Sequence, residues 1–248
     1  MTTGDGKILE MTEFGPLVET EDGSLTIRHS HHGQDFHSSE GAWFEAWELY
    51  VRASGFEDDL RQAGSDITVM DIGMGLGYNA AATLAAWYDG PGVRGLRILS
   101  LEIDPRLPET LAGGNAPWCR GWKSSWLAGP KALTNVDGQK LLAEVTHPVS
   151  GALARWEIWC RDGSQISVDE FPRSVNYFWQ DPFTPELNPA MWSEGWFGRL
   201  RLVAAKDAKL MTYSVSRAVK DALGQGGWRH ERFRTPGRKR HWLRAIPG

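Results

Sequence analysis

The sequence predicts an α/β protein, a mainly parallel seven-stranded sheet with an N-terminal β-hairpin and a helical insertion. Three observations carry the sheet. Short apolar, β-rich runs alternate along the chain with stretches of helical spacing. The first of these runs, Ile67 to Ile72 (ITVMDI), breaks on a glycine cluster and gives way to a helical run, Asn79 to Trp87. Acids then stand at the ends of successive runs: Asp71, Glu102, Asp162 and Asp181.

The totals fit one domain over residues 1–248, with 41% apolar and 23% charged residues. The longest apolar run, Ala80 to Trp87, is far short of the roughly eighteen residues of a membrane span. MTTGDGKILEMTEF carries no basic region followed by an apolar stretch, so the expectation is a cytoplasmic protein with no membrane contact. Cys119 and Cys160 are the only cysteines and lie far apart, which argues against a disulfide framework and a zinc site.

Taken in order, the runs around Asp22-Gly23 predict a hairpin extension over 12–40. Gly41 to Ser54 has helical spacing and Gly55 as its stop. The strand at Ile67 to Ile72 and the helix at Asn79 to Trp87 form the start of a βαβ unit, and Arg97 to Glu102 is the second strand. Residues 106–150, rich in Gly, Pro and Trp, read as a helical insertion able to roof the sheet edge. Ala154 to Cys160, Val175 to Gln180 and Leu210 to Tyr213 follow as strands. Trp228 to Phe233 and His241 to Ile246 flank Thr235-Pro236-Gly237 as a terminal antiparallel pair.

In such a sheet the site lies at the carboxyl ends of the strands. Asp71-Ile72-Gly73-Met74-Gly75-Leu76-Gly77 allows a tight turn, and the helix beginning near Asn79 offers free N–H groups. An acid two residues before the first glycine suits a ligand with an amino group beside its carboxylate, as in S-adenosylmethionine. Tyr78, where a dinucleotide loop wants glycine, disfavours a nicotinamide oxidoreductase. Glu102 stands where an acid binds both ribose hydroxyls, and Asp162 where one could meet the adenine amine. Asp181, set by Pro182, then falls beside the sulfonium methyl. There it can hold an amine acceptor and relay its proton, while Phe183 offers a ring face to the cation.

Two stretches outside this set compete for attention. His29, His31, His32 and His37 are rich in imidazole but alternate between faces and lack a completing cysteine or acid, so no metal site is expected. Trp228 to Arg244 holds seven Lys/Arg against one Glu in a chain of net charge −4. Arg238, Lys239 and Arg240 are therefore candidate phosphate contacts to a nucleic-acid substrate.

DGSLTIRHSHHGQDFHSSEGAWFEAW at 22–47, DIGMGLGYN at 71–79, SLEIDP at 100–105, DPFTPELNPAMW at 181–192 and PGRKRHWL at 236–243 resemble the MnmC-like tRNA 5-methylaminomethyl-2-thiouridine methyltransferases, closest to stand-alone members. The resemblance implies a Rossmann-like class I methyltransferase fold, S-adenosylmethionine as cofactor and tRNA as substrate, with methylation of an aminomethyl group on the wobble uridine. It places Asp71, Gly73, Gly75, Gly77 and Asn79 on the cofactor loop, Glu102 at the ribose, Asp162 at the adenine and Asp181 at the amine. The flavin-dependent enzyme fused to some relatives would here act as a separate upstream partner. The chain departs from the family pattern at Asp71, usually Glu, at Leu76 and Tyr78 within the loop, and at His241, where an acid is common. A methyltransferase for a small-molecule amine is the second reading of the same residues, and a catalytically silent RNA-binding module the third.

Overall fold

The computed structural model describes residues 6–62, 64–234 and 241–248. A three-stranded antiparallel sheet of β1 (Lys7–Thr12), β2 (Gly15–Glu19) and β3 (Leu25–Ile27) comes first. The turn at Asp22-Gly23 joins β2 to β3 as the hairpin expectation had it, and β1 adds an unforeseen third strand. Next come α1 (Ala42–Glu45), running directly into a π-helix (Ala46–Arg52), and α2 (Phe56–Leu60).

The main sheet then begins with β4 (Ile67–Ile72), α3 (Tyr78–Tyr88), β5 (Leu96–Glu102) and α4 (Arg106–Ala112). It continues through α5 (Ala128–Ala132), β6 (Thr134–Asn135), β7 (Lys140–Thr146), β8 (Leu153–Cys160) and β9 (Val175–Gln180). It closes with α6 (Glu194–Val203), β10 (Ala204–Thr212), α7 (Arg217–Gln225), β11 (Trp228–Phe233) and β12 (Trp242–Pro247).

The strand order is β11-β12-β10-β9-β4-β5-β8-β7-β6. β8, β5, β4, β9 and β10 pair in parallel, and β11 and β12 close one edge antiparallel as expected. The sheet has nine strands where seven were expected, because β6 and β7 extend the β8 edge antiparallel. The expected helical insertion at 106–150 is thus helical only in its first part. Its strand β7 alternates buried and exposed residues, the pattern of a sheet with one solvated face.

Both faces of the central strands are covered. Along β4, Ile67 and Val69 enter the core shared with α3, while Met70 and Ile72 enter the one shared with α6 and α7. Helix α3 is buried at ten of its eleven residues, so it is enclosed on every side. The insertion packs on it: Trp118 Nε1 donates to Leu76 O at 2.9 Å, and the Tyr78 hydroxyl, with its one proton, lies within hydrogen-bond distance of both Leu25 O, at 2.8 Å, and Trp118 O, at 3.1 Å. Tyr78 is therefore the tie between the N-terminal sheet, α3 and the insertion, which accounts for a tyrosine at this place in the glycine loop.

Candidate active site

A cavity of about 890 Å³ opens at the carboxyl ends of the parallel strands. Each of the five strands sends its exit segment into the wall: Gly73 to Gly75 after β4, Glu102 to Asp104 at β5, Arg161 to Gly163 after β8, Asp181 to Thr184 after β9, and Tyr213 after β10. The roof differs from the sequence expectation. Among residues 106–150 only Leu107 reaches the cavity, while residues 28–40, leaving the N-terminal sheet, cover it. The insertion's tryptophans are instead packed into the core around α3.

The glycine loop is shaped by close neighbours. Gly73 has φ +79°, and a Cβ there would stand 2.7 Å from Pro182 Cα. Gly75 has φ +53° and would bring a Cβ to 3.0 Å from Phe36. Gly77, φ +84°, caps α3 against Leu111. Gly73 and Gly75 reach the wall; Gly77, Asp71 and Asn79, also expected in the cofactor loop, lie beneath it. Asp71 is wholly buried, with Oδ2 accepting from Ser100 Oγ at 2.7 Å and Oδ1 without a hydrogen bond. Burial pushes its carboxyl up to about 7.

Glu102 organises the next stretch of wall. Its Oε2 accepts from Gly75 N at 2.8 Å, and Oε1 accepts from Ile103 N and Asp104 N at 2.8 and 2.9 Å. Burial raises its carboxyl to about 7 against the pull of those three N–H bonds. Asp162 is exposed at the rim and caps its own turn, Oδ1 accepting from Ser164 N at 2.9 Å and from its hydroxyl at 2.7 Å.

Asp181 stands where the β9 edge of the cavity meets the roof, and its Oδ2 accepts from Asn79 Nδ2 at 2.7 Å. Burial, and next the charge of Glu45, hold Asp181 well above the usual carboxylate range, opposed by the Tyr50 hydroxyl and the Asn79 amide. Glu45 is itself buried at 6% exposure, lines the cavity and accepts from Ser38 N at 3.0 Å. The Tyr50 hydroxyl is turned to Asp181 from a fully buried position and has no hydrogen bond within 3.5 Å. Glu45 and Tyr50 escaped the sequence reading. The π-helix, whose wide turn brings residues five apart toward one face, was the missing signal.

Seven carboxylates of the described residues line the cavity against two arginines. Arg28 is bonded to Asp35 and Arg161 to Glu170. The wall therefore suits a cation that also carries vicinal hydroxyls and an amino group, and S-adenosylmethionine has this chemistry. The His-rich segment supplies rings instead of ligands. His37 is buried beside Thr26 and driven down to about 3 by burial, while His29 and His32 stack at the cavity mouth. Phe183 packs against both of them. Arg238, Lys239 and Arg240 lie outside the described residues.

Comparison with known proteins agrees with this chemistry. Residues 136–247 match the sequence profile of a family described as S-adenosyl-L-methionine-dependent methyltransferase. Fold and profile agree with the class of Rossmann-like, S-adenosyl-L-methionine-dependent methyltransferases, the profile match covering residues 136–247. The particular proteins it resembles over most of its length are the MnmC proteins. It is 29% identical over 223 residues to the tRNA 5-methylaminomethyl-2-thiouridine biosynthesis bifunctional protein MnmC of Azoarcus sp. (strain BH72), covering 86% of this chain and 33% of that protein. The corresponding Thiobacillus denitrificans protein is 28% identical, with 86% and 34% covered. The chain thus spans about a third of the length of these relatives. Among solved structures, MNMC2 from Aquifex aeolicus superposes with a TM-score of 0.70 at 20% identity, covering 98% of this chain and 74% of that one. Spermidine synthase from Thermotoga maritima gives 0.53 at 12%, with 96% and 70% covered.

Proposed function

We propose that the protein transfers a methyl group from S-adenosylmethionine to the nitrogen of an aminomethyl group on the wobble uridine of tRNA. The observation that carries the reading is Asp181, fixed by Asn79 and backed by Glu45, at the strand end beside the glycine loop. The names of the MnmC relatives support the choice of substrate.

When bound, S-adenosylmethionine supplies an electrophilic methyl on a sulfonium. Gly73 and Gly75 would border its methionine part, Glu102 its ribose, and Asp162 its adenine. An alkylamine with a pKa of about 10 arrives protonated and is no nucleophile until it sheds a proton. Asp181 accepts hydrogen bonds from that ammonium and aligns its nitrogen; the neighbouring Glu45 carboxylate provides a second place for the released proton. Positioning accounts for much of the remaining acceleration, since the donor is already activated. A flavin-dependent activity would unmask the aminomethyl group beforehand.

Incubation of hypomodified tRNA with methyl-labelled donor, followed by mass spectrometry of the nucleosides, tests the proposal. Labelled methylaminomethyl nucleoside is expected from the wild type. Asp181→Asn should lower the rate by about 10²-fold or more while retaining donor binding. An active wild type that methylates small amines and leaves tRNA untouched would replace this reading with the small-molecule one.

A further inference from the structure

Four aromatic rings crowd one side of the cavity mouth. His29 and His32 lie nearly face to face, with centroids 4.4 Å apart and planes 29° apart. Phe183 stands 5.5 Å from His29 and 5.3 Å from His32, and Phe36 stands 5.0 Å from Phe183 and 5.6 Å from His29. All four line the cavity and none is buried. A ring cluster serving only to fill a core would be buried; this one is partly exposed along the cavity wall.

The cluster is built to hold its shape. Arg28 donates twice to Asp35, at 2.8 and 3.3 Å, closing the loop that carries the histidines. Within it His29 N donates to Gln34 O at 2.8 Å. His29 Nδ1 accepts from the backbone N–H groups of His31 and His32, at 3.2 and 3.3 Å. A nitrogen that accepts carries no proton, so His29 is the neutral tautomer with its hydrogen on Nε2. Gln34 Nε2 reaches Thr184 Oγ1 at 3.5 Å, linking the loop to the segment that bears Phe183.

We propose that His29, His32, Phe36 and Phe183 form a stacking seat for the planar base of the methyl acceptor, which delivers the base's substituent to Asp181. This rests on the reading that the acceptor is a nucleotide of RNA. Position separates Phe183 from the donor's own adenine. Phe183 follows β9 on one side of the glycine loop, whereas Glu102 and Asp162 belong to β5 and β8 on the other. Charge points the same way: the carboxylates of the wall oppose phosphate, so a base can enter the mouth while its backbone stays outside. Stacked rings then supply affinity without regard to the sequence around that base.

Steady-state kinetics with hypomodified tRNA, paired with calorimetry of S-adenosylmethionine, test the seat. His32→Ala and Phe183→Ala should each raise KM for tRNA by about 10-fold, the scale of removing one base–aromatic stack. Donor Kd should stay within about twofold, and Phe183→Trp should restore KM. Unchanged KM in both alanine variants overturns the seat while leaving the proposed function standing. Donor binding that weakens in step with KM overturns it as well, because the rings would then serve the donor. A wild type that binds donor but transfers no methyl to tRNA overturns both.

Discussion

Asp181 is held under opposing influences, and the balance has a measurable sign. Its carboxyl lies above the ordinary range because burial and the Glu45 charge oppose ionisation more than the Tyr50 hydroxyl and the Asn79 amide favour it. The acid limb of kcat/KM should therefore lie above the range of a free carboxylate. Glu45→Gln removes the like charge yet keeps an oxygen for Ser38 N–H, so it should move that limb to lower pH; a limb that stays put would count against the pairing. Asp71 gives the companion test on stability. Its folded value, about 7, lies above the unfolded one, so from about pH 4 to 7 the native state keeps a proton that the unfolded chain has lost. Stability falls as pH rises through that window and levels above it. Asp71→Asn should flatten part of this fall in urea titrations and be more stable than wild type at pH 8, by up to roughly 4 kcal/mol.

The elements that sequence patterning reveals are those buried on both faces. β4 and β9 run over the very residues their apolar stretches mark, because a central parallel strand has no solvated face to interrupt it. β6 and β7 were hidden inside a Gly, Pro and Trp-rich segment whose composition suggests irregular helix more than sheet. The strand-end wall of the cavity was readable as far as its acids go. The roof was not, since local periodicity says nothing about residues 28–40 meeting residues 181–184. Glu45 looks in the sequence like an ordinary acid on an amphipathic helix, yet it lies buried in the cavity wall at the junction of α1 and the π-helix. Two substitutions probe these joints. Gly73→Ala forces an unfavourable φ and a clash with Pro182, and thermal unfolding should show a loss of about 2 kcal/mol or more along with weakened donor binding. Tyr78→Phe leaves the carbonyls of Leu25 and Trp118 without that donor and should cost about 1–3 kcal/mol. Donor affinity in the native state should remain unchanged, because Tyr78 stands outside the cavity wall.

At the scale of the whole molecule, charge distribution governs how a polyanion would approach. The chain carries net charge −4, its cavity is acidic, and its Lys/Arg excess is concentrated in Trp228 to Arg244. Replacing Arg238, Lys239 and Arg240 with glutamine should weaken tRNA binding uniformly across tRNA species. It should also reduce the slope of log affinity against log salt by about 1 for each phosphate that is no longer neutralised. Filter binding over a salt series measures both, and an unaltered slope would remove these residues from the tRNA-facing surface.

The cavity wall has a thermodynamic consequence of its own. Its residues come from the exits of five strands and from the roof that precedes them, so no isolated stretch of the chain contains a donor site. A molecule lodged there touches segments separated by more than a hundred residues and has affinity only for their assembled form. Donor occupancy should consequently reinforce the entire domain as a unit, adding about 2.7 kcal/mol at a hundredfold excess over Kd. A melting curve recorded with the donor should shift as one cooperative transition, the N-terminal sheet and the far strands giving way together.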